Sequence, residues 1–239
     1  MSQKRISENV KLHKQLTITK LNDYIDGLIS NDVSKANKFC YWLGDYVKFL
    51  NYEAEFNAKK LKRYKRGDVI KAHLGFNIGS EEGGLHYCIV LDKKNDLSSP
   101  VVTVIPLTSV KNDNRIRHLR KDEVFLGDEL FSALQNKINE NLTTMSALLH
   151  KINAQMIYGE ETECSLEYLK CGLDSINNMK DELSKMKKGS IALIGQITTI
   201  SKIRIYTPKN KYDTLSKVRC SNESLDKIDK KIHELFIKK

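Results

Sequence analysis

What most constrains this chain is that its hydrophobic period changes repeatedly from one end to the other. Over residues 7–30, Leu12, Leu16, Leu21, Ile25 and Leu28 recur at helical spacing. A second stripe carries Val33, Phe39, Trp42, Leu43, Tyr46, Phe49 and Leu50 toward Phe56 and Leu61. Ser30, Asn31 and Asp32 lie between the two and supply turn and N-cap chemistry. After Gly67 the texture changes to β-branched runs at 68–74, 87–91 and 101–105, with 123–126 as a further strand. The helical period then returns in Leu130, Leu134, Ile138, Leu142, Met145, Leu149, Ile152 and Met156, and again in Leu166, Leu169, Leu173, Ile176, Leu183 and Met186. These two runs predict an αα-hairpin bent at Gly159, Glu160 and Glu161 and ended by Gly189. Residues 190–194 and 197–205 read as two more strands, and Ser221 caps a short amphipathic helix carrying Leu225, Ile228, Ile232, Leu235 and Phe236. Helical and extended stretches kept apart in this way predict an α+β fold with short antiparallel strands.

Composition narrows the function. The chain has 239 residues, 40% of them hydrophobic, enough to bury a core. Only 3 Pro and 12 Gly rule out collagen-like and Pro-rich low-complexity classes. No apolar stretch approaches the roughly 20 residues needed to span a bilayer. The first 14 residues are polar and charged, which argues against a secretory leader and makes cytoplasm the expected compartment. Cys40, Cys88, Cys164, Cys171 and Cys220 are odd in number and scattered, so buried thiols are expected rather than a disulfide framework. No Cys-x-x-Cys or paired-His spacing completes a metal site, and neither a structural metal nor a cofactor is predicted. The net charge of +10 is clustered. One run holds Lys59, Lys60, Lys62, Arg63, Lys65, Arg66 and Lys71, and another holds Lys111, Arg115, Arg117, Arg120 and Lys121. Such patches suit polyanions, although a Lys-rich surface also serves solubility.

The segment from Gly75 to Tyr87 is too long and glycine-rich for a tight hairpin, and loops of that kind tend to carry function. It is neither Gly-x-Gly-x-x-Gly before a helix nor a P-loop, so nucleotide-cofactor readings fail on context. Its polar cargo is Ser80, Glu81, Glu82 and His86. Arg66-Gly67-Asp68-Val69-Ile70, then Leu74-Gly75, then Gly79-Ser80-Glu81-Glu82-Gly83-Gly84, resembles the opening strand and loop of MazF/PemK-family toxins. Two later blocks keep the order. Ser99-Pro100 leads into Val104-Ile105-Pro106-Leu107-Thr108-Ser109, and Ser190-Ile191-Ala192-Leu193 is followed by Gln196-Ile197-Thr198-Thr199-Ile200, Lys202 and Arg204. Lys227-Ile228-Asp229 is similar to part of the family's C-terminal helix.

The resemblance covers residues 64–126 and 188–238 and implies a small SH3-like antiparallel β-barrel in two parts, 64–126 and 188–239. Residues 127–187 are then an inserted helical hairpin and residues 1–63 a helical N-terminal extension. It also implies a homodimeric toxin of a type II toxin–antitoxin system, held by a cognate antitoxin. Such a toxin cuts single-stranded RNA, including mRNA, without metal, leaving a 2′,3′-cyclic phosphate and a 5′-hydroxyl.

That reaction needs a group to take the 2′-OH proton, positive charge on the phosphorane-like transition state and a proton for the 5′-oxygen. Relatives have Arg after the Gly-Gly of the loop, whereas this chain has His86. A guanidinium clamps phosphate; an imidazole can exchange a proton at neutral pH. His86 is therefore the proton-transfer candidate, the alternative being a strand residue whose ring bonds a backbone group. Thr108 matches the family's active-site Thr, Ser109 stands beside it, and either hydroxyl could instead cap a strand end. Glu81 and Glu82 are candidates to take a proton or orient His86, and are otherwise solvated turn residues. Lys71, His73, Ser80, Arg115, Arg117 and Arg204 are the expected RNA contacts, with Phe76 and Tyr87 available for base stacking.

Two rival readings go with the resemblance. The Arg-to-His change could mark a relative that binds RNA with weak cleavage or none. The related CcdB group uses the same small barrel to poison gyrase by protein contact. The amphipathic helices of 1–63 or of the hairpin either cover the RNA groove in cis or extend the core and the dimer interface.

Overall fold

The computed structural model describes residues 3–110, 116–158, 163–187 and 189–237, which fall into two compact units, 1–55 and 56–239. The first unit is a pair of helices, α1 (Gln3–Asn31) and α2 (Val33–Tyr52). Asp32 caps α2 by accepting a hydrogen bond from the Lys35 backbone N–H, as the turn chemistry at 30–32 predicts. Ala36 is the buried apolar residue among the described residues of this pair, and Leu12, Leu16, Tyr41 and Leu50 are exposed. The stripe expected to run on toward Phe56 and Leu61 stops short, because α2 ends at Tyr52. Asn57 then caps a 3-10 turn, Ala58–Lys60, and Leu61 packs beside the cluster around Tyr64.

The second unit is built on seven antiparallel strands: β1 (Val69–His73), β2 (Leu85–Val90), β3 (Val101–Ser109), β4 (Glu123–Gly127), β5 (Ser190–Leu193), β6 (Thr198–Ser201) and β7 (Ile205–Thr207). Their order is β4-β5-β3-β2-β1-β7, with β6 also paired to β3. β3 meets β6 through Val104 and β5 from Leu107 onward. The change of partner falls at Pro106, which has no N–H to donate. The sheet is not closed by pairing of β4 with β7 among the described residues. The expected stretch 197–205 is not one strand but β6, a 3-10 turn at Lys202–Arg204 and the start of β7.

Alternation along the strands sends Val69, Ile89 and Ile105 to one buried cluster and Ile70, Cys88 and Val104 to the other. The first cluster is completed by helices. These are α3 (Glu129–Ile157), through Leu130, Leu134, Ile138 and Met145; α4 (Glu163–Lys185), through Ile176 and Met179; and α5 (Asn222–Ile232), through Ile228. Ser221 caps α5 by accepting from the Ser224 backbone N–H, as its sequence predicts. The expected bend at Gly159, Glu160 and Glu161 lies outside the described residues. Burial of the thiols is corrected. Cys88 and Cys220 are buried, but Cys40, Cys164 and Cys171 are exposed, because they face away from the packed stripes of α2 and α4. All five are free thiols.

Candidate active site

The loop between β1 and β2 folds back on its own base. Leu74 N–H donates to Gly84 O at 2.7 Å, and Gly84 N–H donates to Gly75 O at 2.6 Å. A Cβ on Gly83 would lie 2.8 Å from Gly75 O, and Gly84 adopts φ +91°, so both halves of the diglycine are required by geometry. Side chains then pin the loop. Asn77 Nδ2 donates to Glu82 O at 2.7 Å, while Gln196 accepts from Glu82 N–H at 3.1 Å and donates to Ser80 O at 3.2 Å. This fixes the backbone from which Glu82 reaches His86.

His86, second residue of β2, has both ring nitrogens against oxygen. Nδ1 is 3.1 Å from Leu107 O, and Nε2 is 3.0 Å from Glu82 Oε1. A carbonyl can only accept, so Nδ1 carries a proton. Nε2 and the carboxylate stand close enough for one proton to pass between imidazole and carboxylate. His86 is thus bound to the backbone, as one reading of the sequence had it, while its other nitrogen faces a carboxylate. Both side chains are partly exposed, at 25% for His86 and 27% for Glu82.

A cavity of about 180 Å3 opens here between the ends of β2 and β3. Its lining includes His86, Tyr87, Thr108, Ser109 and Ser190 from the strands and Lys185, Met186 and Lys187 from the end of α4 and the turn after it. An imidazole, hydroxyl-bearing residues and two lysines around a small void suit a phosphate group.

The other expected residues are distributed around this cavity rather than in its lining. Glu81 is exposed, and its Oε2 accepts from Ile78 N–H within its own turn. Ser80 is exposed and Phe76 half-buried in the same loop. His73 Nδ1 accepts from Gly75 N–H at 3.2 Å, and Arg204 donates to Leu74 O at 2.6 Å. Arg117 is exposed in the turn before β4. Arg115 lies outside the described residues. Lys202, part of the third sequence block, is buried, and its ammonium donates to Asp96 O at 3.0 Å.

Lys71 pairs in register with Tyr87, and the two share one acceptor that sequence reasoning missed. Glu182 Oε1 on α4 lies 2.6 Å from Lys71 Nζ and 2.5 Å from the Tyr87 hydroxyl, which both donate to it. Burial pushes the Glu182 carboxyl up, but hydrogen bonds from Lys71 and Tyr87 outweigh it and hold the group below the usual carboxylate value. Burial and then the Glu182 hydrogen bond raise the Tyr87 phenol well above its ordinary value. Behind them, burial pushes the Cys88 thiol up to about 12. Glu182 does carry a signal in the sequence. It stands three residues after Met179 and four before Met186, a charged residue on a stripe otherwise apolar.

Among the described residues, no three His, Cys, Asp or Glu side chains gather as a group able to hold a metal, and no helix is long and apolar enough to cross a membrane. A search of curated proteins gives no match to this chain. Residues 65–154 match the family described as PemK-like, MazF-like toxin of type II toxin-antitoxin system. That span runs from the residues leading into β1 through the loop, His86, Thr108 and Ser109, and on into α3. Over this segment the chain is similar to the PemK-like, MazF-like toxins of type II toxin–antitoxin systems.

Proposed function

We propose that this protein is a toxin-type endoribonuclease that cuts single-stranded RNA by attack of the ribose 2′-oxygen on the adjacent phosphorus, giving a 2′,3′-cyclic phosphate and a 5′-hydroxyl. The observation that carries this reading is that His86 of β2 and the adjacent Thr108 and Ser109 of β3 line one small cavity together with Lys185 and Lys187. Glu82 takes the 2′-OH proton as the O2′–P bond forms, and His86 gives its Nε2 proton to the 5′-oxygen as the P–O5′ bond breaks. The proton gained by Glu82 then passes to His86 across their 3.0 Å contact and restores the pair. Thr108 and Ser109 donate to the phosphoryl oxygens, and Lys185 and Lys187 supply positive charge. The required 2′-OH is what spares DNA.

The open sheet with its flanking helices then corresponds to the family's small SH3-like barrel, carrying residues 127–187 as an insertion and 1–63 as an extension. A cognate antitoxin, a homodimeric assembly and a cytoplasmic site of action go with this reading. The test is a defined RNA incubated with the protein in EDTA. Cleavage with cyclic-phosphate ends is expected, with no cut where the nucleotide is replaced by its deoxy form. His86→Ala suppresses cleavage at least a hundredfold and leaves RNA affinity within a few-fold; full activity in that variant removes His86 from the reaction.

A further inference from the structure

The Glu182 contact joins the inserted hairpin to the edge of the cavity. Lys71 and Tyr87 are opposite each other across β1 and β2, with the Lys71 ammonium 5.1 Å from the Tyr87 ring centre. An ammonium and a phenol O–H converging on one point make a site for a single anionic oxygen. Tyr87 also lines the cavity, so this anion position adjoins it.

The occupant is a carboxylate from a helix whose neighbouring stripe positions are Met179, Leu183 and Met186. An apolar residue at position 182 would pack there without the desolvation that a buried ion pair incurs. The side chains of Lys71 and Glu182 are only 14% and 12% exposed, so the pair is a costly way to hold a helix. The cavity itself is about 180 Å3, below the roughly 300 Å3 at which small-molecule sites begin. It has room for a phosphate but not for a nucleotide. One wall is Lys185, Met186 and Lys187, the same end of the hairpin that carries Glu182.

Building on the ribonuclease reading, we propose that Lys71 and Tyr87 form a phosphodiester-binding subsite whose resting occupant is the Glu182 carboxylate. An RNA phosphate takes the two donors from Glu182, and the same displacement moves the end of α4 away from the cavity and admits the strand. Until then the chain is closed against its own substrate.

The probe is a fluorescent single-stranded oligodeoxyribonucleotide, which has no 2′-OH and is not cut, bound to the full chain over a series of salt concentrations. Glu182→Gln is expected to tighten binding by about tenfold at low salt and to steepen the dependence of log K on log salt by about 0.7, the signature of one more phosphate contact. Lys71→Met added to Glu182→Gln returns both quantities to those of the parent. Asp181→Asn, an equal loss of charge one residue away, leaves the slope unchanged. If Glu182→Gln does not fold, Glu182→Asp withdraws the carboxylate by one methylene and is expected to act in the same direction. Binding that is unchanged or weaker in a folded Glu182 variant overturns the proposal, as does a gain that survives loss of Lys71. The two readings fail separately. RNA left uncut by the parent chain and by Glu182→Gln alike ends the ribonuclease reading and leaves the binding result intact, whereas brisk cleavage with no Glu182 effect ends only this one.

Discussion

At the scale of single residues, the proposed reaction turns on the 3.0 Å contact between His86 and Glu82. Replacing Glu82 by Gln keeps the shape and removes the group proposed to accept the 2′-OH proton. The expected outcome is a fall in kcat of about a hundredfold with KM little changed, measured on a defined RNA. A fall in affinity alone would show instead that Glu82 serves only to hold the loop. The candidacy of His86 is legible in the sequence because it follows the diglycine of a recognisable loop. The choice between Glu81 and Glu82 is not, since adjacent carboxylates are told apart only by the direction each takes. In the folded loop Glu81 closes its own turn and Glu82, whose backbone is held by Asn77 and Gln196, reaches the imidazole.

At the scale of elements, side chains of α3 fasten it to the loop before α5, Lys137 among them. Lys137 Nζ donates to the carbonyls of Asp213, Thr214 and Ser216 at 3.1, 2.8 and 2.8 Å. Lys137→Met keeps the length of the side chain and leaves those acceptors without their donor. A loss of about 1–3 kcal/mol in urea unfolding is expected, with the strands unaffected by circular dichroism. Elements themselves are well marked in the sequence. The caps at Asp32 and Ser221, the strands β1 to β5 and the stripes of α3 and α4 all depend on residues a few positions apart. What joins the elements is not marked in that way. Lys137 meets carbonyls more than seventy residues away and Lys71 meets Glu182 at a separation of 111, and no local pattern encodes either meeting. The break between β6 and β7 was hidden for a related reason. Residues 197–205 keep a β-branched texture through a turn set by Ser201, whose hydroxyl accepts from Ile203 N–H.

At the scale of the whole molecule, burial of neutral acids sets the response to alkali. Burial pushes both the Cys88 and Cys220 thiols from an ordinary 9.0 to about 12, and it raises the Tyr64 and Tyr87 phenols as well. The folded chain keeps these protons after the unfolded chain has lost them. Stability from the thiols is complete below pH 9 and is lost as the pH rises toward 12. The free energy of unfolding in urea should therefore fall between pH 8 and pH 10, by about 3 kcal/mol from the two thiols together. Cys88→Ala should flatten that fall while lowering stability at pH 7; an undiminished fall in the variant would assign it to other groups.

The hairpin also bears on how a chain of this design can be shortened. Leu130, Leu134, Ile138 and Met179 share a single buried cluster with Val69, Ile89 and Ile105 of the sheet. Cutting the hairpin out and rejoining β4 to β5 by a tight turn would bare those strand residues to water, and the trimmed product would clump unless they were made polar or covered by another copy. Any sheet of this kind that manages with a brief β4–β5 connection must therefore differ at the strand positions beneath as well, so that gain or loss of the hairpin has to be matched by change in the strands it covers.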